Sequence, residues 1–302
     1  MASPIVGTAP VGSPPHETQT QSPAIMVIGS LNADLVTYAP RMPVAGETLA
    51  ANGVRTGLGG KGANQAVACA KLGRRSPANR GVNATAAAAA APARAVAAVY
   101  MVGAVGDDVY GRKVTSALSS VSVDTSGVAV RAGQGTGVAV ILVDDAAGGE
   151  NRILLSAEAN ATLQPQVYAA SLSLTPEDCL PGATLDLDAA ADRRDSELAR
   201  FAGHFLQLGV QHVVITLGGA GVYNASASTH THSGLVPAAP TTVVDTTAAG
   251  DTFIGAYALG LVQGKTVAAA VAWANRAAAV AVGRQGAQES IPWMDEVKDA
   301  DA

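Results

Sequence analysis

The sequence predicts a three-layer α/β fold with a mostly parallel central sheet, and three observations predict it. Short apolar, β-branched runs alternate along the chain with stretches of helical periodicity. Glycine-rich turns fall where strands give way to helices, and the chain holds 33 glycines. Near the C-terminal end, VVDTTAAGDTFIGAYALG (residues 243–260) passes from β-branched residues through a run of small ones into a helix whose first turn carries an acid. In open parallel sheets ligands sit at such strand C-termini.

In chain order, residues 25–29 read as a first strand, followed by the polar loop SLNAD. A glycine loop at 58–62 precedes a helix over 63–72. Residues 100–106 form a second strand and turn, and GDDVYG opens a helix running towards Leu118. The β-branched run 138–143 can pair with 152–156 across the Gly148, Gly149 turn. Residues 213–217 read as a buried strand ahead of the glycines at 218–221. Val243 and Val244 end a strand, Phe253, Ile254, Tyr257, Ala258 and Leu261 recur at helical spacing, and the turn between spans 246–251. Residues 76–98, with ATAAAAAAPARAVAAV, are low in complexity and predict a solvent-exposed insertion. Residues 1–24 are rich in Pro, Ser, Thr and Gln without Arg, Lys or a long apolar segment, which predicts a disordered tail and no targeting presequence. The remainder, 25–298, reads as one domain.

At 302 residues the chain can bury about three quarters of its unfolded surface. With 48% hydrophobic and 14% charged residues, and apolar runs too short for a bilayer, it predicts no membrane span. A net charge of -5 without a basic stripe predicts no nucleic-acid partner. Cys69, in a helical stretch, and Cys179, in a loop, have no disulfide or metal spacing and read as reduced and structural. These features together predict a cytoplasmic protein, with nuclear presence left open.

The chemistry concentrates in a few segments. Ala248, Ala249 and Gly250 leave backbone uncovered at a helix N-terminus, where outward N–H groups and the helix dipole suit a phosphate or a developing negative charge. Asp251 beside them can take a proton from a hydroxyl nucleophile; an isolated acid there would more simply cap the helix. Asn32 and Asp34, two apart, face one way if their segment is extended, and an amide with a carboxylate grips adjacent sugar hydroxyls, although such a pair alone is commoner in turns. GLGGKGANQAVA meets the GxGxxG pattern at Gly57, Gly59 and Gly62, but no clear strand leads into it and no acid follows about 20 residues later, so it is not a dinucleotide site. Nor is it a P-loop, since Gly60 and Lys61 precede Gly62 instead of Ser or Thr. His230 and His232 lack a third ligand and read as a surface hairpin.

DTTAAGDTF closely resembles the C-terminal signature of the ribokinase family of sugar kinases, DTxGAGD, and GGKGANQAVA resembles its N-terminal signature. VGAVGDDVYG, ENRILLSAEANATL, ITLGGAGVY and AVGRQGAQESIPW match further family motifs in family order, over most of residues 25–294. The resemblance implies phosphorylation of D-ribose at O5 by ATP, with Asp251 as base and an anion hole at Ala249, Gly250 and Asp251. It implies a sugar site of Asn32, Ala33, Asp34, Gly60, Lys61, Gly62, Ala63 and Asn64. It also implies an ATP loop at Thr216, Leu217, Gly218, Gly219, Ala220 and Gly221 with Gly250 and Asp251. Asn275 stands where ribokinases contact adenosine, and reads equally as an ordinary exposed helix residue. A potassium site of Asp245, Thr247, Ala281, Arg284, Gly286 and Ser290 is implied, as are magnesium carried by ATP and a homodimer formed through a β lid within 36–56 and 137–156.

The chain departs from the family in one place. Leu163 is followed 11 residues later by LTPEDCL, where relatives carry a βαβα stretch, so on the order of 50 residues, comparable to a βαβ unit, are missing. The family's sugar-site Glu and its NPAPA motif are absent. If LTPEDCL stands for LTPNETE, Glu177 and Leu180 occupy the positions of the Asn-x-x-Glu motif that organises magnesium and phosphates. The alternatives are another sugar or nucleoside kinase of this family, or a catalytically impaired binding or regulatory protein.

Overall fold

The computed structural model describes residues 23–79, 95–147, 150–163, 191–227 and 234–298. Strand β1 (Ala24–Ile28) lies parallel to β4 (Ala98–Gly106), and β4 lies parallel to β5 (Val123–Arg131). A second sheet has the order β3 (Gly53–Gly59), β2 (Asn32–Ala39), β6 (Gly137–Asp144), β7 (Glu150–Ser156). A third, antiparallel, runs β10 (Gly234–Val236), β9 (Val222–Ser226), β8 (His212–Thr216). The described helices are α1 (Lys61–Leu72), α2 (Val109–Ser120), α3 (Ala191–Gln207), α4 (Ala249–Val262) and α5 (Val267–Val282). α1 packs on β1 and β4, α4 on α1, and α5 on α4; α2 packs on β4 and β5, and α3 on β8 and β9. This is the predicted three-layer α/β fold; among the described residues a four-stranded mixed sheet and a three-stranded antiparallel sheet accompany the three-stranded parallel one. No described helix is long and apolar enough to cross a membrane.

Small residues set how closely the layers approach. On α4, a Cβ at Gly255 would lie 2.5 Å from the Ala68 Cβ and 2.9 Å from the Cys69 nitrogen, so α1 and α4 meet almost backbone to backbone. Leu31, Leu72, Met101, Leu118, Leu259 and Ile291 are completely buried around this contact. Such close packing leaves no slack for an added methylene. Leu198, Ala202, Leu217, Tyr223 and Ala225 form a smaller core between α3 and the third sheet. Cys69 is buried and unpaired, and burial pushes its thiol up to about 12.

Four expectations need correction. SLNAD is not a loop: from Asn32 the chain is already in β2, held between β3 and β6. A strand does lead into the glycine loop. β3 (GVRTGLG) escapes a propensity reading because three of its seven residues are glycine, and its pairing with β2 holds it extended. It pairs antiparallel, so the dinucleotide reading gains nothing. Val243 and Val244 are not in a strand; both are exposed, and the N–H groups of Val244 and Asp245 converge on the Val282 carbonyl instead. β8 is half-buried at its centre and exposed at both ends, because β9 is its one neighbour among the described strands. β5 and α3 are additional elements. The Gly148, Gly149 turn, Cys179, His230, His232, LTPEDCL, the first 22 residues and most of the 76–98 insertion lie outside the described residues.

Candidate active site

The first turn of α4 is the centre of the site. Ala248 takes a left-handed conformation (φ 61°) as the N-cap, and its carbonyl accepts the first helical bond from the Thr252 N–H at 2.8 Å. The Ala249 N–H donates to the Thr246 carbonyl at 3.3 Å, whereas those of Gly250 and Asp251 have no backbone acceptor among the described residues. A Cβ added at Gly250 would meet nothing within 4 Å. The surface predicted to hold an anion is thus open, with two of its three N–H groups free and Ala249 held by a long bond.

Asp251 projects from this turn to α1. The Asn64 Nδ2 donates to one carboxylate oxygen at 3.0 Å, and the Gln65 Nε2 donates to the other at 3.1 Å. Two segments nearly 190 residues apart therefore meet at one carboxylate. The Asn64 Oδ1 is buried and has no hydrogen-bond donor among the described residues.

The remaining sugar-loop residues surround that contact. Gly60 caps α1 with φ 89°, and a Cβ there would lie 2.5 Å from the Ser30 carbonyl oxygen and 2.8 Å from the Asn32 nitrogen. Only glycine allows both the angle and the approach. A Cβ at Gly59 would collide with the Asp34 carboxylate, and one at Gly62 would lie 2.7 Å from the Gly29 carbonyl carbon. The Ala63 N–H donates to the Ser30 carbonyl at 3.1 Å. Asn32 and Asp34 share one face of β2, Ala33 is buried between them, and Lys61 is exposed. Burial, reinforced by the charge of Glu289, pushes the Asp34 carboxyl up to about 6.

Asn160 belongs to this site although no role was assigned to it from sequence. Its Oδ1 accepts from the Leu31 N–H at 3.0 Å, and its Nδ2 donates to the Leu31 carbonyl at 3.1 Å and the Asn32 Oδ1 at 2.9 Å. It clamps the start of β2. ENRILLSAEANATL was legible as a motif, but one asparagine in a 3-10 turn gives no sign of which backbone it holds.

On the other side of α4 lies a cavity of about 310 Å³. Of the residues expected to bind ATP, Thr216, Gly218, Gly219, Gly221, Gly250 and Asn275 line it, and Asp251 does not. Leu217 and Ala220 turn towards the smaller core instead. The apolar walls, among them Val222, Ala239, Val243, Phe253, Ala278 and Val282, were not singled out as site residues, because they look like any core side chains in sequence. Asn275 is buried, and its Nδ2 donates to the Pro237 carbonyl at 2.5 Å, so the exposed reading falls. Gly221 has φ 103° and lies against Val236 and Ala238.

Asp245 accepts from the Thr247 and Gly286 N–H groups, each at 2.9 Å. Burial raises its pKa, but hydrogen bonds from the Thr247 side chain and these two N–H groups outweigh it and hold the carboxyl below its ordinary range. The other predicted cation-loop residues lie nearby in sequence but differ in orientation. The Arg284 guanidinium pairs with Glu296 at 3.0 Å, the Ala281 carbonyl accepts the Arg284 N–H at 2.9 Å, and the buried Ser290 hydroxyl donates to the Ala287 carbonyl at 2.8 Å. Lys71 pins the same loop by donating to the Gln288 and Ile291 carbonyls at 2.6 and 3.1 Å.

An acid at an open helix N-terminus, with polar side chains of α1 and β2 on one side and a glycine- and apolar-lined cavity on the other, is an arrangement that suits phosphoryl transfer to a small hydroxyl compound. Residues 22–176 and 182–294 match the model of the pfkB family carbohydrate kinases, and the chain belongs to that family: it is a sugar kinase. It is 33% identical to a ribokinase of Schizosaccharomyces pombe over 328 residues, covering 90% of this chain and 96% of that one, and 32% identical to a ribokinase of Bacillus subtilis, covering 91% and 98%. Among solved structures it is similar to a Thermotoga maritima ribokinase (28% identity, TM-score 0.68, covering 91% of this chain and 97% of that one). It is similar also to an Arabidopsis thaliana ribokinase complexed with ribose and ATP (25%, TM-score 0.67, covering 92% and 98%). The S. pombe alignment is longer than this whole chain although it takes in only 90% of it, so that relative carries residues with no counterpart here.

Proposed function

We propose that the chain is a ribokinase, transferring the γ-phosphoryl group of ATP to O5 of D-ribose. The observation that carries this reading is the clasp of Asn64 and Gln65 on Asp251, which brings the sugar loop and the acid at the open helix terminus into one site. Ribose lies against Asn32, Asp34 and the 60–64 loop, with a hydroxyl donating to the unused Asn64 Oδ1. Asp251 accepts the O5 proton as O5 bonds to the γ-phosphorus and the bond to the β–γ bridging oxygen breaks, releasing ADP. The Gly250 and Asp251 N–H groups, with Ala249 beside them, face the charge that develops. The adenine lies in the apolar cavity beside Asn275, with its phosphates along 216–221.

Magnesium would come with the ATP substrate and would supply positive charge to its phosphates; among the described residues no group of three or more His, Cys, Asp or Glu could hold a metal. For potassium, the chemistry fits: Asp245, held ionised, and loop carbonyls form an all-oxygen set. Thr247, Gly286, Ala281, Arg284 and Ser290 contribute backbone there, the Arg284 side chain being engaged by Glu296. A bound cation would add positive potential beside the anion hole. A homodimer forms through the second sheet, where Ile153, Leu154 and Leu155 of β7 are all more than half exposed. We place the protein in the cytoplasm.

A second reading, a non-catalytic sugar- or nucleotide-binding regulator, is favoured by the missing residues: β1 ends its sheet among the described strands with Met26 63% and Ile28 46% exposed. A coupled assay of ADP release with ribose separates the two. Turnover supports the kinase; ribose binding by a folded protein without turnover supports the regulator.

A further inference from the structure

We propose that Gln65 is a positioning residue that fixes the Asp251 carboxylate for proton transfer; this rests on the reading of Asp251 as the base. Asn64 and Gln65 are consecutive on α1, so their side chains leave the helix about 100° apart. Both nevertheless end on the same carboxylate, one on each oxygen. Asp251 therefore sits astride the N-terminal turn of α1, with its carboxylate plane set by two donors. Each amide takes one lone pair and leaves one per oxygen, so the group is oriented yet can still accept a proton.

The two donors are not equivalent. Asn64 is buried and has a second polar atom, its Oδ1, without a partner among the described residues, the acceptor that the proposed function gives to a sugar hydroxyl. Gln65 is half-buried, and its one side-chain hydrogen bond among the described residues is to Asp251. When sugar engages Asn64, Gln65 remains the contact whose whole role is to hold the carboxylate. Its loss should slow the chemical step and leave sugar affinity alone, because misplacing a reacting group costs rate without removing a binding contact.

The experiment compares the full chain with Q65L, Q65E and D251N, following ribose-dependent ADP release across pH and the melting of each variant. Q65L should lower kcat about tenfold while the KM for ribose stays within about twofold. Q65E, close to Gln in size and shape, sets a second carboxylate in place of the donor to Asp251 and should lower kcat with the KM for ribose again little changed, its melt reporting the cost of the paired charges. A merely structural Gln65 would lower the melt and leave the kcat of the folded variants unchanged. If both variants keep the kcat and pH profile of the unsubstituted protein while D251N is inactive, the Gln65 role is overturned and the base survives. If D251N turns over undiminished, or the unsubstituted chain shows no ribose-dependent turnover, the base reading falls and the Gln65 role with it.

Discussion

The Asn64 side-chain amide donates to the Asp251 carboxylate at 3.0 Å, joining the first turn of α1 to the first turn of α4. Both turns begin at residues with positive φ, Gly60 and Ala248, and the close α1–α4 packing at Gly255 holds the two helices in register. The pairing converts two separately readable motifs into one site.

Asp34 is partly buried at a cost. Its folded-state pKa of about 6 lies above the ordinary 3.8, so its contribution to stability is complete below about pH 4 and is lost as pH rises through 6. Asp34→Asn should therefore stabilise the protein at pH 7.5 by about 1–2 kcal/mol, discounted for partial exposure, and leave it unchanged near pH 4. Thermal melts at the two pH values check this. Ribose affinity should fall in the same variant, measured by calorimetry.

Ala248 carries left-handed strain that glycine would not. The strain costs about 1–2 kcal/mol, against about 0.8 kcal/mol for burying one methyl group. Ala248→Gly should raise stability by about 0.5–1 kcal/mol, read as a higher urea midpoint with an unchanged slope. An unchanged or lower midpoint would mean that packing of the methyl group outweighs the strain.

Asn160→Ala should act on both stability and substrate. It strips the fully buried Leu31 of its side-chain partners and frees Asn32, costing about 1–3 kcal/mol in stability. KM for ribose should rise several-fold, measured by steady-state kinetics on the folded variant.

The parts legible in the sequence are those where chemistry needs particular residues at fixed spacing. Asp251 stands in the first turn of a helix, Gly60 at a positive-φ cap, and Gly218, Gly219 and Gly221 along the cavity, each placed by its local sequence. What the sequence did not show depends on distant partners. β3 is extended because β2 holds it, the Val243–Val244 segment leaves the strand state because the N–H groups of Val244 and Asp245 go to the Val282 carbonyl, and Asn160 matters through Leu31 and Asn32. Gln65 stood inside a quoted motif without a role, because nothing in a helix sequence reveals which carboxylate lies across from it.

The central claim is that Asp251 removes the proton from a ribose hydroxyl during phosphoryl transfer. Ribose-dependent ADP release by the unsubstituted chain and by D251N, with ribose binding measured in parallel, tests it most directly. Turnover in the unsubstituted chain, falling at least about a hundredfold in D251N with ribose still bound, is the predicted result. Equal turnover in the two proteins would contradict it.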